Sequence, residues 1–382
     1  MDALTDRAFD LLIVGGGIQG ATLALEAARR GLSVLLLERG EFGGETTANS
    51  LRILHGGLRY LQSLDLPRFR ESVDERRWFL SSFPDLVAPL PCLMPIYAPP
   101  RGGRLRRPAV LRLALKTSDL LSREDALPKG RWLSQSEVMD LFPGADRRGL
   151  RGGALWHDAV APDPARLISS VLRWARSLGA DVLDQVEATD LLTAGGRVTG
   201  VRAVDRRSGR SLEIRALAVV NCAGPWSREI ARRFDRDIPR LFRPMLAFNL
   251  LLDREPLSRA ALAVAAPGAV SQTWFFLPAG DRLLAGTAYA SARGEEGPSE
   301  EEIAGFLAAL NAAVPGLNAR RDEVARVLWG RLPAAGEGST VPARRPVIHH
   351  HGRHGGPEGL VSISGVKLTT ARALSEKALA AS

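Results

Sequence analysis

Hydrophobic and polar positions along the chain fall into blocks that predict strands and helices in alternation. Phe9–Val14 is an apolar run stopping at glycine, the pattern of a short buried strand. Leu23, Ala24, Ala27 and Ala28 recur at helical spacing over 21–30, and Gly31 supplies a C-terminal stop. Val34-Leu35-Leu36-Leu37, within 33–38, is a second apolar run. Strand, helix and strand thus fit into about 30 residues, the size of one βαβ unit. Helical spacing returns after Gly57, with one amphipathic stretch over 69–83. Proline is dense from Pro84 to Pro108, which predicts a boundary. A basic amphipathic helix follows over 109–122, then an irregular polar stretch to Gly153.

Past Ala165 a helix over 167–178 leads into two β-like runs, 182–192 and 198–204, separated by the hairpin signal Ala194-Gly195-Gly196. Leu217–Val220 reads as a buried strand ending at Ala223-Gly224. Residues 241–290 alternate as antiparallel strands (248–252, 273–277, 283–285), 300–313 is helical, and a last strand at 360–364 meets Gly365 before a final helix from Thr369. Parallel elements at both ends enclose an antiparallel insertion. The expectation is an α/β chain with a discontinuous nucleotide domain (1–90, 150–240 and 335–382) and a substrate domain (91–149 and 241–334).

Composition narrows the function classes. With 45% hydrophobic and 24% charged residues, the chain has the make-up of a soluble globular protein. Lys plus Arg is 51 against 42 for Asp plus Glu, a net +9 that suits anionic partners. Cys92 and Cys222 are the two cysteines, so neither a disulfide framework nor a thiolate metal cluster is available. No window reaches the ~18 apolar residues of a membrane span, and Asp2, Asp6 and Asp10 have the wrong charge for a secretory leader. The expected location is cytoplasmic. Nucleic acid is not an expected partner: aromatics are 6% and show no paired stacking pattern.

Gly15-Gly16-Gly17-Ile18-Gln19-Gly20 fits G-x-G-x-x-G between a strand and a helix. Gly15 permits the tight turn, Gly17 lets backbone approach a pyrophosphate, and Gly20 lets helix and strand pack closely. The helix N-terminus offers amide donors and a favourable dipole to that anion. Glu38, at the end of the next strand, is placed to accept from adenosine ribose hydroxyls. Those residues predict a dinucleotide site without deciding between NAD and FAD.

The run from Glu45 to Leu61, with Thr46, Thr47, Asn49, Ser50 and His55-Gly56-Gly57-Leu58-Arg59-Tyr60, resembles the flavin-contacting loop of FAD-dependent glycerol-3-phosphate dehydrogenases in the D-amino-acid-oxidase-like superfamily. Gly365-Val366-Lys367-Leu368-Thr369-Thr370 resembles that family's C-terminal signature, and Asn221-Cys222-Ala223-Gly224-Pro225-Trp226 its strand-to-helix segment. The resemblance spans residues 9–380. It implies a glutathione-reductase-like Rossmann FAD-binding domain with an inserted antiparallel-sheet (α+β) substrate domain. FAD would be held non-covalently by the glycine motif, Glu38, Arg39, Thr46, Thr47, Asn49, Ser50, His55, Gly57, Val186, Ala223, Gly224, Gly365, Lys367, Leu368 and Thr369. Arg59 would grip a small anionic substrate, because guanidinium matches phosphate or carboxylate. Tyr60 would hydrogen-bond that substrate, and Lys367 would stabilise the negative charge of reduced flavin.

Departures from the family pattern bear on the substrate. Its Gly-x-Arg-Pro segment corresponds to Gly330-Arg331-Leu332-Pro333 here, with the substrate arginine one place early. On a strand that shift turns the side chain to the opposite face. Asn249 stands where the family has a catalytic histidine, and Gly286-Thr287-Ala288-Tyr289 lacks a carboxylate of the family segment. The family's C-terminal helical domain has no counterpart in these residues. The leading substrate is glycerol 3-phosphate. An amine or amino-acid oxidase, a 2-hydroxy-acid dehydrogenase and a non-catalytic flavin-binding subunit stay open, as does the catalytic base. His349-His350-His351 and His354 read as a polar strand end rather than a metal site. Arg101–Arg123, with Arg112, Lys116, Leu113 and Leu120, could meet an anionic membrane on its inner face, where quinone would be the acceptor. A homodimer is a further expectation.

Overall fold

The computed structural model describes residues 6–62, 64–98, 108–122, 127–265, 272–294 and 296–380. Two sheets organise them. The first has eight strands, in the order Val347–His350, Leu360–Ser364, Ser211–Asn221, Ala8–Val14, Val34–Leu37 and Asp181–Leu183, with the hairpin Val186–Ala194/Arg197–Asp205 branching from Ser211–Asn221. Its central pairings are parallel. Val34–Leu37 is buried at every position, as a strand covered on both faces requires. The helices Ile18–Ala28, Pro164–Ser177 and Ala371–Ala380 pack on one face, sharing a core with Leu11, Ile13, Leu36 and Ile363.

The second sheet has nine strands, in the order Val324–Pro333, Pro244–Leu252, Arg282–Ser291, Thr273–Ala279, Ala261–Ala265, Ala88–Tyr97, Leu150–Val160 and Ile53–Leu54, with Arg131–Leu133 beside Leu150–Val160. The helix Glu300–Ala313, started by a Ser299/Glu302 capping box, buries Ile303, Phe306, Leu307 and Leu310 against it. The parallel sheet with an antiparallel insertion is the architecture expected from the sequence.

Three expectations change in detail. Leu150–Val160 pairs in the second sheet, so that segment leaves the 150–240 block of the nucleotide domain. The proline-dense boundary contains a ten-residue strand, Ala88–Tyr97. Pro89, Pro91 and Pro95 share one parity, so their missing N–H groups all fall on one side of the strand and the ladder on the other stays intact. The polar stretch before Gly153 contains Arg131–Leu133 and a helix, Gln135–Leu141, opened by a Ser134/Glu137 capping box. No helix among the described residues is long and apolar enough to cross a membrane.

Candidate active site

The C-terminal edge of the parallel sheet builds the site. Gly15 has φ +107°, and a Cβ there would lie 2.7 Å from the Cys222 carbonyl oxygen, so only glycine makes the turn. A Cβ at Gly20 would lie 1.9 Å from the Gly15 carbonyl, which fixes how closely helix and strand meet. At Gly17 the single neighbour within 4 Å of a Cβ is Thr47 Oγ1, at 3.4 Å, so its backbone is open to a ligand. The helix Ile18–Ala28 begins there without a side-chain cap from Gly17, and Ile18 N–H donates to Thr47 Oγ1 (3.2 Å). That leaves the positive end of the helix beside an open glycine turn.

Glu38 is committed to backbone: Oε2 accepts from Gly16 N and Oε1 from Gly40 N, both at 2.7 Å. Each oxygen keeps a further lone pair for a hydroxyl. Val186 spends its N–H on the Glu38 carbonyl (2.9 Å) and buries its side chain. Ala223 N–H is held by Asn221 Oδ1, and the space at Gly224 is open. Ser50 Oγ is a buried polar atom with no hydrogen-bond partner among the described residues.

Farther along the edge, Lys367 donates to the Tyr60 hydroxyl, with its ammonium 4.2 Å from the ring centre. Residues 307 positions apart are thereby brought together. Arg59 lies in the adjoining helix Leu58–Gln62, but its side chain is outside the described residues. Thr369 does not cap the last helix, which begins at Ala371; its hydroxyl accepts from His55 N–H (3.1 Å). Leu368 packs against the core of the first sheet.

The most heavily bonded group is Asp158, which is 3% exposed. One oxygen accepts from Gly56 N (2.7 Å) and Arg76 Nη1 (3.3 Å); the other meets His55 Nδ1 (3.0 Å) and Trp156 Nε1 (3.2 Å). Burial alone would raise its carboxyl, but the hydrogen bond and charge of His55, the Arg76 charge and the Gly56 amide outweigh that and hold it at about 2. Arg76 also donates to the His157 carbonyl (2.7 Å), satisfying backbone where Leu150–Val160 has no neighbour between Arg131–Leu133 and Ile53–Leu54. The His55 ring sits 5.3 Å from Phe275, centre to centre. With Nδ1 engaged, Nε2 is the nitrogen left for chemistry.

The FAD dependent oxidoreductase family matches residues 10–378, nearly all of this glycine turn, loop and C-terminal signature. The chain belongs to that family. It is 32% identical over 394 residues to glycerol-3-phosphate dehydrogenase 1 of Mycobacterium bovis, covering 99% of this chain and 74% of that protein. Its fold is similar to the structure of glycerol-3-phosphate dehydrogenase from Bacillus halodurans complexed with FAD, with TM-score 0.75 and 23% identity over 99% of this chain. The chain spans 65% of the length of that protein. The fold is also similar to L-proline dehydrogenase from P. horikoshii, with TM-score 0.73 and 16% identity, covering 97% and 92% of the two chains.

As a family member the protein is an FAD-dependent oxidoreductase, and its residues fit that group. The open turn at Gly17, the helix end behind it and the unpartnered Ser50 hydroxyl make a cradle for an extended dinucleotide. Two sequence expectations need correcting. Gln19 does not face the cofactor cleft: its amide donates to Ala371 O (3.2 Å) and Ser375 Oγ (3.0 Å), tying the first helix to the last. Asn249 donates to Asn49 O (3.0 Å) and accepts from Thr287 Oγ1 (2.8 Å), so it is a buried tie for the flavin loop rather than a reacting group. The Arg331 guanidinium lies 5.1 Å from the Trp226 ring centre.

Three of the four histidines make side-chain hydrogen bonds. His351 joins Asp235 Oδ2 (2.7 Å) to Ser362 Oγ (3.0 Å), and His349 accepts from Arg240 (3.0 Å). No His, Cys, Asp and Glu group suited to a metal occurs among the described residues. Sequence reading missed Asp158 and Arg76. The available signal was a single carboxylate, beside His157, inside the mainly apolar strand segment Leu155–Val160, where a buried acid demands partners.

Proposed function

We propose that this oxidoreductase removes a hydride and a proton from a small anionic alcohol, sn-glycerol 3-phosphate, giving dihydroxyacetone phosphate. The observation that carries the reading is the His55–Asp158 pair one turn of chain from Arg59 and Tyr60. Asp158, held ionised, fixes the His55 ring through Nδ1 and leaves Nε2 as the nitrogen to take the hydroxyl proton. Tyr60 orients the substrate hydroxyl, and Lys367, bonded to Tyr60, adds positive charge at the same end. Arg59 grips the phosphate. FAD, when bound, supplies the two-electron acceptor. The identity with glycerol-3-phosphate dehydrogenase 1 supports the phosphate ester over an amino acid, whereas the fold likeness extends to both substrate classes.

Support for an acceptor at a membrane comes from the helix Pro108–Ser122. It exposes Leu113 (66%) and Leu120 (78%) with Lys116 between them, and packs on Leu58–Gln62. We read that face as a peripheral contact with an anionic bilayer, with quinone as acceptor.

The anaerobic visible spectrum, recorded before and after glycerol 3-phosphate, tests the reading. Flavin bands that bleach within seconds support it, and His55→Gln should slow bleaching by about 10²–10⁴. Bands that persist with glycerol 3-phosphate but bleach with 2-hydroxy acids or amino acids would reject the substrate. Bands that no substrate bleaches would point to a non-catalytic flavin subunit.

A further inference from the structure

The displaced Arg331 is not idle. Strand order along the C-terminal edge of the parallel sheet runs from Leu360–Ser364 through Ser211–Asn221 and Ala8–Val14 to Val34–Leu37. Adjacent strands are about 4.8 Å apart, so Lys367 and the glycine turn lie at successive places on this edge, followed by Glu38 and Arg39. Trp226, just beyond the end of Ser211–Asn221, reaches toward the Glu38 end: the Arg39 guanidinium lies 4.0 Å from its ring centre. Arg331, from the substrate sheet, lies 5.1 Å from the same ring.

Its placement follows from register. A Cβ at Gly330 would lie 2.9 Å from Thr46 Oγ1, so that position faces the flavin loop. Arg331, next along the strand, takes the other face, while its carbonyl accepts from Thr46 Oγ1 (3.3 Å). Thr47, the next residue, holds the first amide of the helix Ile18–Ala28. Two guanidinium groups therefore share one indole beside the positive end of a helix. Arg39 has no ion pair among the described residues, and each oxygen of the neighbouring Glu38 carboxylate accepts from a backbone amide.

We infer that Arg331, Trp226 and Arg39 form a clasp on the adenosine diphosphate half of FAD, so that Arg331 is a cofactor-binding residue contributed by the substrate domain. Trp226 gathers both guanidinium groups at one ring, and a guanidinium suits bidentate contact with diphosphate oxygens. One consequence is that the two domains are joined through the cofactor: FAD binding draws Val324–Pro333 onto the glycine turn.

The test is reconstitution of apoprotein with FAD, followed by flavin fluorescence, with ADP as competitor. Arg331→Met should raise the FAD dissociation constant about tenfold to a hundredfold, the worth of a charged hydrogen bond. It should weaken ADP competition by a similar factor and leave weak binding of riboflavin, which lacks the diphosphate, unchanged. Arg331→Lys, which keeps the charge but not the planar fork, should fall between. Riboflavin binding also controls for folding. In the wild type, added salt should weaken FAD binding, and should do so less steeply in Arg331→Met. Unchanged FAD and ADP binding in both variants, with a raised KM for the anionic substrate, would return Arg331 to the substrate pocket and overturn the inference. Wild-type apoprotein that took up no FAD would be a separate failure, of the cofactor assignment itself.

Discussion

Replacing Asp158 with asparagine tests the site and the fold at once. The substitution keeps shape but removes the charge that His55, Arg76, Gly56 and Trp156 converge on, and its new amide N–H₂ must face at least one donor. Arg76 is itself buried, at 6% exposure, so the change leaves a guanidinium with little solvent. Losing one partner of such a pair costs about 3–5 kcal/mol. A second route gives a similar size: a carboxyl moved from 3.8 to about 2 contributes about 2.5 kcal/mol in the fold. The sign follows from the direction of the shift. A depressed folded pKa stabilises fully above the unfolded value, and that stability is lost as pH falls through about 2. Urea denaturation of wild type and Asp158→Asn should therefore differ by about 2–4 kcal/mol near neutral pH, and the gap should close as pH falls below about 4. Substrate-driven flavin reduction should also slow by about 10²–10⁴, because His55 loses its orienting acceptor. Equal stability at neutral pH, or a gap that persists unchanged into acid, would refute the electrostatic account of Asp158.

Three further outcomes follow from particular contacts. Arg372→Met strands the buried Glu75, which Arg372 meets at 2.6 Å. Burial already pushes that carboxyl up to about 7 against the opposing Arg372 charge. Unfolding should be easier by about 3–5 kcal/mol above neutral pH, with the deficit shrinking as pH falls through about 7 and Glu75 protonates in the fold. Gly20→Ala puts a methyl 1.9 Å from the Gly15 carbonyl, so the purified protein should lack flavin absorbance at about 450 nm while staying folded by circular dichroism. If the exposed leucines meet a bilayer, Leu113→Glu with Leu120→Glu should abolish co-sedimentation with anionic vesicles and leave flavin reduction by substrate unchanged.

What could be read from the sequence is what chain neighbours decide. Val34–Leu37 is apolar throughout because both of its faces are covered, and the glycine spacing states how closely strand, helix and ligand must approach. Gly195 and Gly196, both at positive φ, close the hairpin that their pairing predicted. The proline-rich strand Ala88–Tyr97 was hidden because proline signals a break unless its neighbours' N–H groups are known to point elsewhere. The His55–Asp158 pair was hidden for a different reason. It joins residues 103 positions apart through a strand whose place depends on sheet order, and no local pattern carries that order.

Arg331 shows how a local rule stops short of its consequence. The one-residue offset predicts that the side chain turns away from the family's substrate position, and its guanidinium lies 5.1 Å from the Trp226 ring centre. The offset could not say what occupies the other face, because Trp226 and Arg39 come from the other sheet. The glycine before it is part of the same event: a side chain at 330 would strike Thr46, so that face of the strand must stay bare for the flavin loop to close. On the inference drawn above, an arginine moved by one position serves the nucleotide end of the cleft instead of its substrate end. The phosphate of the substrate is then left to Arg59, so Arg59→Ala should raise KM for an anionic substrate by the equivalent of about 1.5–3 kcal/mol. An unchanged KM would mean that the substrate anion is held by a group other than Arg59.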